Sequence, residues 1–189
     1  MTARSAVVAA LLLTLVAGCG VPAEDEARPL PASGTVPGTG PVVEVSPSPA
    51  GSVAQPFYFV RRGRLVPVVR WIGPATPLDA LTRTLLAGPT SSEAAADLTS
   101  ALTGTATVRG VRRSGAIALV DLGDDPPATG RTDEILAFGQ IVCTLTARTD
   151  VSGVAFVRGD QPLEVPRPDG SLSAQPMAAL TYADLLAPA

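Results

Sequence analysis

The chain contains no histidine and no lysine, and its only cysteines are Cys19 and Cys143. Without histidine, a Ser-His-Asp or Cys-His nucleophilic arrangement is excluded, and so is the usual histidine-bearing zinc site. All 14 basic residues are therefore arginine, which we read as the coding bias of a GC-rich genome and not as a functional signal. Charged residues make up only 16% of the chain and the net charge is -3. That balance argues against binding that depends on neutralising phosphates, so nucleic acid is not an expected partner. Aromatic residues are scarce at 4%, which leaves few platforms for stacking sugars. Nothing in the sequence sets two carboxylates across a cleft, so a cell-wall hydrolase ranks last among the functions considered.

Long apolar runs are missing as well. The longest, Ala6 to Gly18, has 13 residues and follows Met1 and Arg4, whereas a membrane-spanning helix needs about 20. The run reads as a removable signal. Its end, Leu15-Val16-Ala17-Gly18-Cys19, has the pattern of a bacterial lipobox, in which the cysteine is acylated. Residues 1–18 are thus expected to be a lipoprotein signal peptide, with Cys19 as the lipidation site and the protein held on the extracytoplasmic face of the cell membrane. Two or more acyl chains hold firmly because each buried methylene contributes about 0.8 kcal/mol. With Cys19 lipidated, Cys143 has no disulfide partner. It falls in an apolar helical pattern and is expected to behave as a small core residue.

Residues 19–55 are expected to be the lipidated cysteine plus a linker rich in Pro, Gly and Ser, and 56–189 the folded domain. The 36 residues from Gly20 to Gln55 would give a reach of roughly 30 to 35 Å if flexible. From Pro56 onward, two β-rich runs, Phe57 to Val60 and Leu65 to Trp71, flank Gly63 and predict a hairpin, with Pro67 at a sheet edge or break. Thr76-Pro77-Leu78-Asp79 predicts a helix capped by Thr76, with Leu78, Leu81, Leu85 and Leu86 as its buried stripe and Gly88-Pro89 as its stop. Thr90 and Glu93 form a capping-box pattern before a second helix over Ala94 to Leu102. A second hairpin is predicted for Thr105–Arg113 and Ala116–Leu122 around Ser114-Gly115, its second strand apolar enough for the middle of a covered sheet.

Thr132 is expected to cap a long helix to about Arg148, with Ile135, Phe138, Ile141, Val142 and Leu145 buried, and with Gln140 and Thr144 in need of partners. Strands follow at Val151–Val157 and Leu163–Val165, then a turn at Pro168-Asp169-Gly170 and a last helical turn over Thr181–Leu186. The fold class expected is α+β, a mainly antiparallel sheet with two or three helices packed on one face.

Four phrases, in this order, resemble the GerMN domain of sporulation and germination proteins and of actinobacterial envelope lipoproteins. They are Tyr58-Phe59-Val60 with Leu65 to Arg70, Leu85 to Thr90, Ala118 to Leu122, and Gln140 to Thr146 followed by Val151 to Val157. The resemblance spans about Pro56 to Asp184. It implies a compact α+β fold related to ring-building motifs, with no established catalytic residue or cofactor, and a role as an interaction module.

The function expected is a non-enzymatic, membrane-anchored accessory or assembly factor with an envelope protein as partner. The alternative is a carrier or sensor that binds a small ligand or wall fragment. Asp121, Asp124 and Asp125 match no calcium loop, and no metal site is assigned to them. The candidate interaction surface is Arg61, Arg62 and Arg64 on the first hairpin, Arg112 and Arg113 on the second, and Trp71. The simpler role of these arginines is to keep strand edges from pairing with other chains.

Overall fold

The computed structural model describes residues 49–103, 108–123 and 131–188. All of them belong to one compact unit, Gly40–Ala189. Cys19, Asp124 and Asp125, which carry part of the expectations above, lie outside the described residues.

The first hairpin pairs β1 (Val53–Arg61) with β2 (Arg64–Ile72), so the strand begins three residues before Pro56. Its turn residues Arg62 and Gly63 both have positive φ, 52° and 73°, the form whose twist matches the strands it joins. Prolines 56 and 67 both fit without breaking the ladder. The Tyr58 N–H points away from β2, to the Thr144 hydroxyl at 3.0 Å. Tyr58 and its register partner Pro67 are therefore a non-hydrogen-bonded pair, and the nitrogen of Pro67 faces outward where no donor is required. Pro56, two residues before Tyr58, has the same orientation.

Helix α1 (Leu78–Leu86) begins one residue later than expected. Pro77 is its N-cap, and the Thr76 hydroxyl donates instead to the Gly73 carbonyl at 2.8 Å. Its buried face is also rotated: Leu81, Leu85 and Thr82 are buried while Leu86 is exposed. Thr82 can replace a leucine there because its hydroxyl donates to the Leu78 carbonyl one turn back. Gly88, at φ +80°, ends the helix. The capping box of Thr90 and Glu93 is present, but α2 is only one turn, Ser91–Ala95. The chain leaves it through Asp97 at φ 61°. Leu98 then enters the core, and Thr99 exchanges main-chain hydrogen bonds with Val60 on the outer edge of β1.

Strands β3 (Val108–Ser114), β4 (Ile117–Leu122), β5 (Gly153–Arg158) and β6 (Gln161–Pro162) form a four-stranded sheet in that order. The β3–β4 turn lies at Gly115-Ala116, one residue past the expected position. β4 is interior, as its apolar sequence predicts, antiparallel to β3 and parallel to β5. A parallel neighbour requires a crossover, which α3 (Arg131–Thr146) supplies. Thr132 is inside this helix and not its cap. The strands β7 (Val165–Pro166) and β8 (Leu172–Ser173) form a small ribbon about the turn at 167–170; of the predicted strand Leu163–Val165 only Val165 is in a strand, while the Leu163 N–H donates to the Phe156 carbonyl just past β6. A 3-10 segment, Ala179–Leu185, closes the described chain.

The class is α+β, with its strands distributed over three sheets. Every residue of α3 from Leu136 to Leu145 is buried, the mark of a helix with neighbours all round. It touches β1, β2, β5, β7, α1 and the 3-10 segment. Phe138 of α3 meets Phe156 of β5 edge to face, centroids 4.8 Å apart. Gly139 permits the closest approach: a Cβ there would stand 2.8 Å from Leu65 Cδ1 and 3.1 Å from Tyr182 Cδ1.

Candidate functional site

Two buried polar residues of α3, Gln140 and Thr144, hold the outer edge of β1. Gln140 is fully buried. Its side-chain nitrogen donates to the Tyr58 carbonyl at 3.0 Å, and its oxygen accepts from the Ala101 N–H at 2.6 Å. One turn on, the Thr144 hydroxyl accepts from Tyr58, and the Thr144 carbonyl accepts from the buried side chain of Gln55 at 3.1 Å. These bonds do for β1 what another strand would do. The polar chemistry inside the domain is thus spent on main-chain groups of the fold.

Arg70 organises the other side of the hairpin. Its guanidinium carbon lies 4.9 Å from the ring centroids of both Phe57 and Phe59, while its Nε donates to Glu93 at 2.9 Å and its Nη2 to Glu93 and the Gly88 carbonyl. One arginine therefore joins β2 to the end of α1 and the start of α2, with an aromatic pair beneath it. Burial raises the pKa of Glu93, but hydrogen bonds from Arg70 and from Thr90 outweigh it, and the net shift is downward. The Thr90–Glu93 box is legible in the sequence and its partner Arg70 is not, because no local pattern signals a partner 23 positions away.

The proposed arginine surface divides in two. Arg62 and Arg64 are exposed at the tip of the first hairpin with Arg61 half-buried beside them. Arg112 and Arg113 sit on β3 and are paired, to Asp160 at 3.1 Å and Asp150 at 2.8 Å. Arg148 also binds Asp150, at 2.8 Å, and donates to the Thr76 carbonyl. Asp150 is held below its ordinary carboxylate pKa, first by the hydrogen bond from Arg148. The groove lined by Thr76, Asp79, Arg113, Arg148 and Asp150 is thus already bridged by its own ion pairs. Trp71 is half-buried opposite Ala54, near the end of the hairpin away from the tip.

Cys143 is buried in α3, and burial pushes its thiol up to about 12, so it stays protonated and unreactive in the native fold. Asp121 accepts a hydrogen bond from the Gly159 N–H in the β5–β6 turn. Among the described residues no group of three metal-ligating side chains comes together.

Comparison with solved structures finds the tandem GerMN domains of the sporulation protein GerM from Bacillus subtilis, at a TM-score of 0.52 and 15% identity, covering 69% of this chain and 47% of that one. This chain thus spans about half the length of that tandem protein. The first GerMN domain of the same protein matches at a TM-score of 0.45 and 18% identity, over 67% of this chain and 95% of that one. No curated protein sequence matches. The first similarity supports the α+β fold. Residues 56–164, more than half of the chain, match the family model described as Germane, sporulation and spore germination, and the chain therefore belongs to that family.

Proposed function

We propose that this protein is a lipid-anchored envelope protein whose GerMN domain holds a protein partner and carries out no catalysis. The observation that supports it best is the order of segments: Leu15 to Cys19, a Pro/Gly/Ser-rich stretch, and then a domain of this family. The partner is an envelope protein reached from the membrane surface, and the role is accessory or assembly. The buried polar side chains agree with this, since Gln55, Gln140 and Thr144 are occupied by main-chain groups.

Cys19→Ser tests the anchor. The substituted protein is expected to lose palmitate labelling and to leave the membrane fraction with its domain folded. Full retention in the membrane with no labelling of the unsubstituted protein would overturn the anchored reading. Crosslinking in cells, with the Cys19→Ser form as control, tests the accessory role: a specific envelope protein captured by the anchored form is expected, and repeated capture of none would move the assignment to ligand binding.

A further inference from the structure

The first hairpin ends in Arg61, Arg62, Gly63 and Arg64, with Arg61 and Arg64 as the last register pair and Arg62 first in the turn. A turn with positive φ at both central residues favours asparagine, aspartate or glycine at the first of them. Here an arginine takes that position at φ 52°. The sequence accepts a costly backbone conformation and gains a guanidinium at the outermost point of the hairpin.

Among the described residues the charge at this tip is not ion-paired. Among the described residues Arg61 and Arg62 have no ion-pair partner, and Arg64 donates at 2.7 Å to the main-chain oxygen of Asp184 without forming a salt bridge. Asp184, exposed, is the nearest acidic residue that its contacts identify. Arg112 and Arg113 differ in this respect, since each has an aspartate as ion-pair partner, the one on Arg113 being shared with Arg148. The net charge of -3 does not oppose a local interaction, because carboxylates farther off than about 8 Å are largely screened at physiological ionic strength.

The geometry points to Arg61, Arg62 and Arg64 as a contact for the anionic headgroups of a phospholipid bilayer. The choice of a bilayer rests on the lipid-anchored reading, which keeps such a surface beside the domain. Each arginine near an anionic bilayer changes partitioning about fivefold. Three give a weak contact that becomes well occupied when the same chain is tethered. The nine residues of β1 span about 30 Å, within the roughly 29 to 34 Å that residues 20–52 would reach if flexible, so a tethered chain can bring the tip to the bilayer.

The test uses the unlipidated chain from Cys19 onward, whose buried core is drawn from Phe57 to Tyr182 and whose folding is checked by circular dichroism. It is sedimented with vesicles of phosphatidylcholine alone or mixed equally with phosphatidylglycerol. Binding to the mixed vesicles at low salt, released by added salt, is expected. The Arg61→Gln/Arg62→Gln/Arg64→Gln variant is expected to lose about a hundredfold in partitioning, while Arg112→Gln/Arg113→Gln retains the original value. Equal binding by the tip variant, equal binding to neutral vesicles, or no binding by the original chain would overturn the inference. Binding to a soluble polyol-phosphate polymer without binding to vesicles would overturn it in favour of a wall polymer. Failure here leaves palmitate labelling of Cys19 untouched, and loss of labelling in cells leaves the vesicle result standing, so the two proposals fail separately.

Discussion

The Thr144 hydroxyl accepts the main-chain N–H of Tyr58 at 3.0 Å, joining the central helix to the strand edge beside it. With Gln140 one turn away, it makes a largely apolar helix specific for one position along β1. Gln140→Leu would remove the hydrogen bonds that Gln140 makes with the Tyr58 carbonyl and the Ala101 N–H. Each lost buried bond costs about 1 to 3 kcal/mol, so a loss of about 2 to 6 kcal/mol is expected in urea unfolding. Thr144→Val, which keeps the shape and removes one acceptor, is expected to cost about 1 to 2 kcal/mol.

Acid should loosen the Arg70 junction. Glu93 has its pKa lowered in the fold from an ordinary value of 4.5. Its stabilising contribution is therefore present above about pH 4.5 and is lost as pH falls through the lower folded value. Glu93→Gln is expected to cost about 1 to 3 kcal/mol at neutral pH and to flatten this acid dependence, measured as unfolding free energy from pH 7 down to 3.

Much of this organisation is legible in the sequence. The hairpin, the edge position of Pro67, the Thr90–Glu93 capping box and the interior placement of β4 all follow from local chemistry. So does the requirement that Gln140 and Thr144 find partners. The rest is not, in part because a polar side chain can satisfy itself within its own helix and in part because of distant contacts. Leu86 is exposed and Thr82 buried because the threonine satisfies itself within the helix. Helix α2 stops early because Leu98 and Thr99 are taken by the core and by Val60, a demand that no window around Ala94 contains. The proposed lipidation of Cys19 rests on the sequence motif alone.

Alkaline pH should act through Cys143. Its pKa rises from 9.0 to about 12 on folding because burial disfavours the thiolate. The folded state then holds a proton that the unfolded state loses, so stability is intact below about pH 9 and declines as pH rises toward 12. A thiol reagent at pH 8 is expected to leave Cys143 unmodified in the native protein and to modify it fully in urea.

Gly139→Ala adds a methyl group against Leu65 and Tyr182. The gain in helix propensity is about 1 kcal/mol, and overpacking costs about 1 to 3 kcal/mol. A net loss of about 1 kcal/mol is expected, read as a lowered thermal midpoint.

Arg62→Asn should separate charge from backbone comfort. Asparagine takes the left-handed turn more readily, so stability is expected to rise by up to about 1 kcal/mol while vesicle partitioning falls. A variant less stable than the original in urea would refute the assignment of backbone cost to Arg62.

The bond from the Ala187 N–H to the Leu65 carbonyl, near the contact between Arg64 and Asp184 across 120 positions, has a consequence in time. At about 5 to 20 residues per second, the outer edge of β2 waits roughly 6 to 24 s during synthesis before the segment that covers it exists. An open edge recruits other strands. Pro67 presents no donor along that edge, so the edge offers one main-chain group fewer for a foreign strand to pair with until the tail is made.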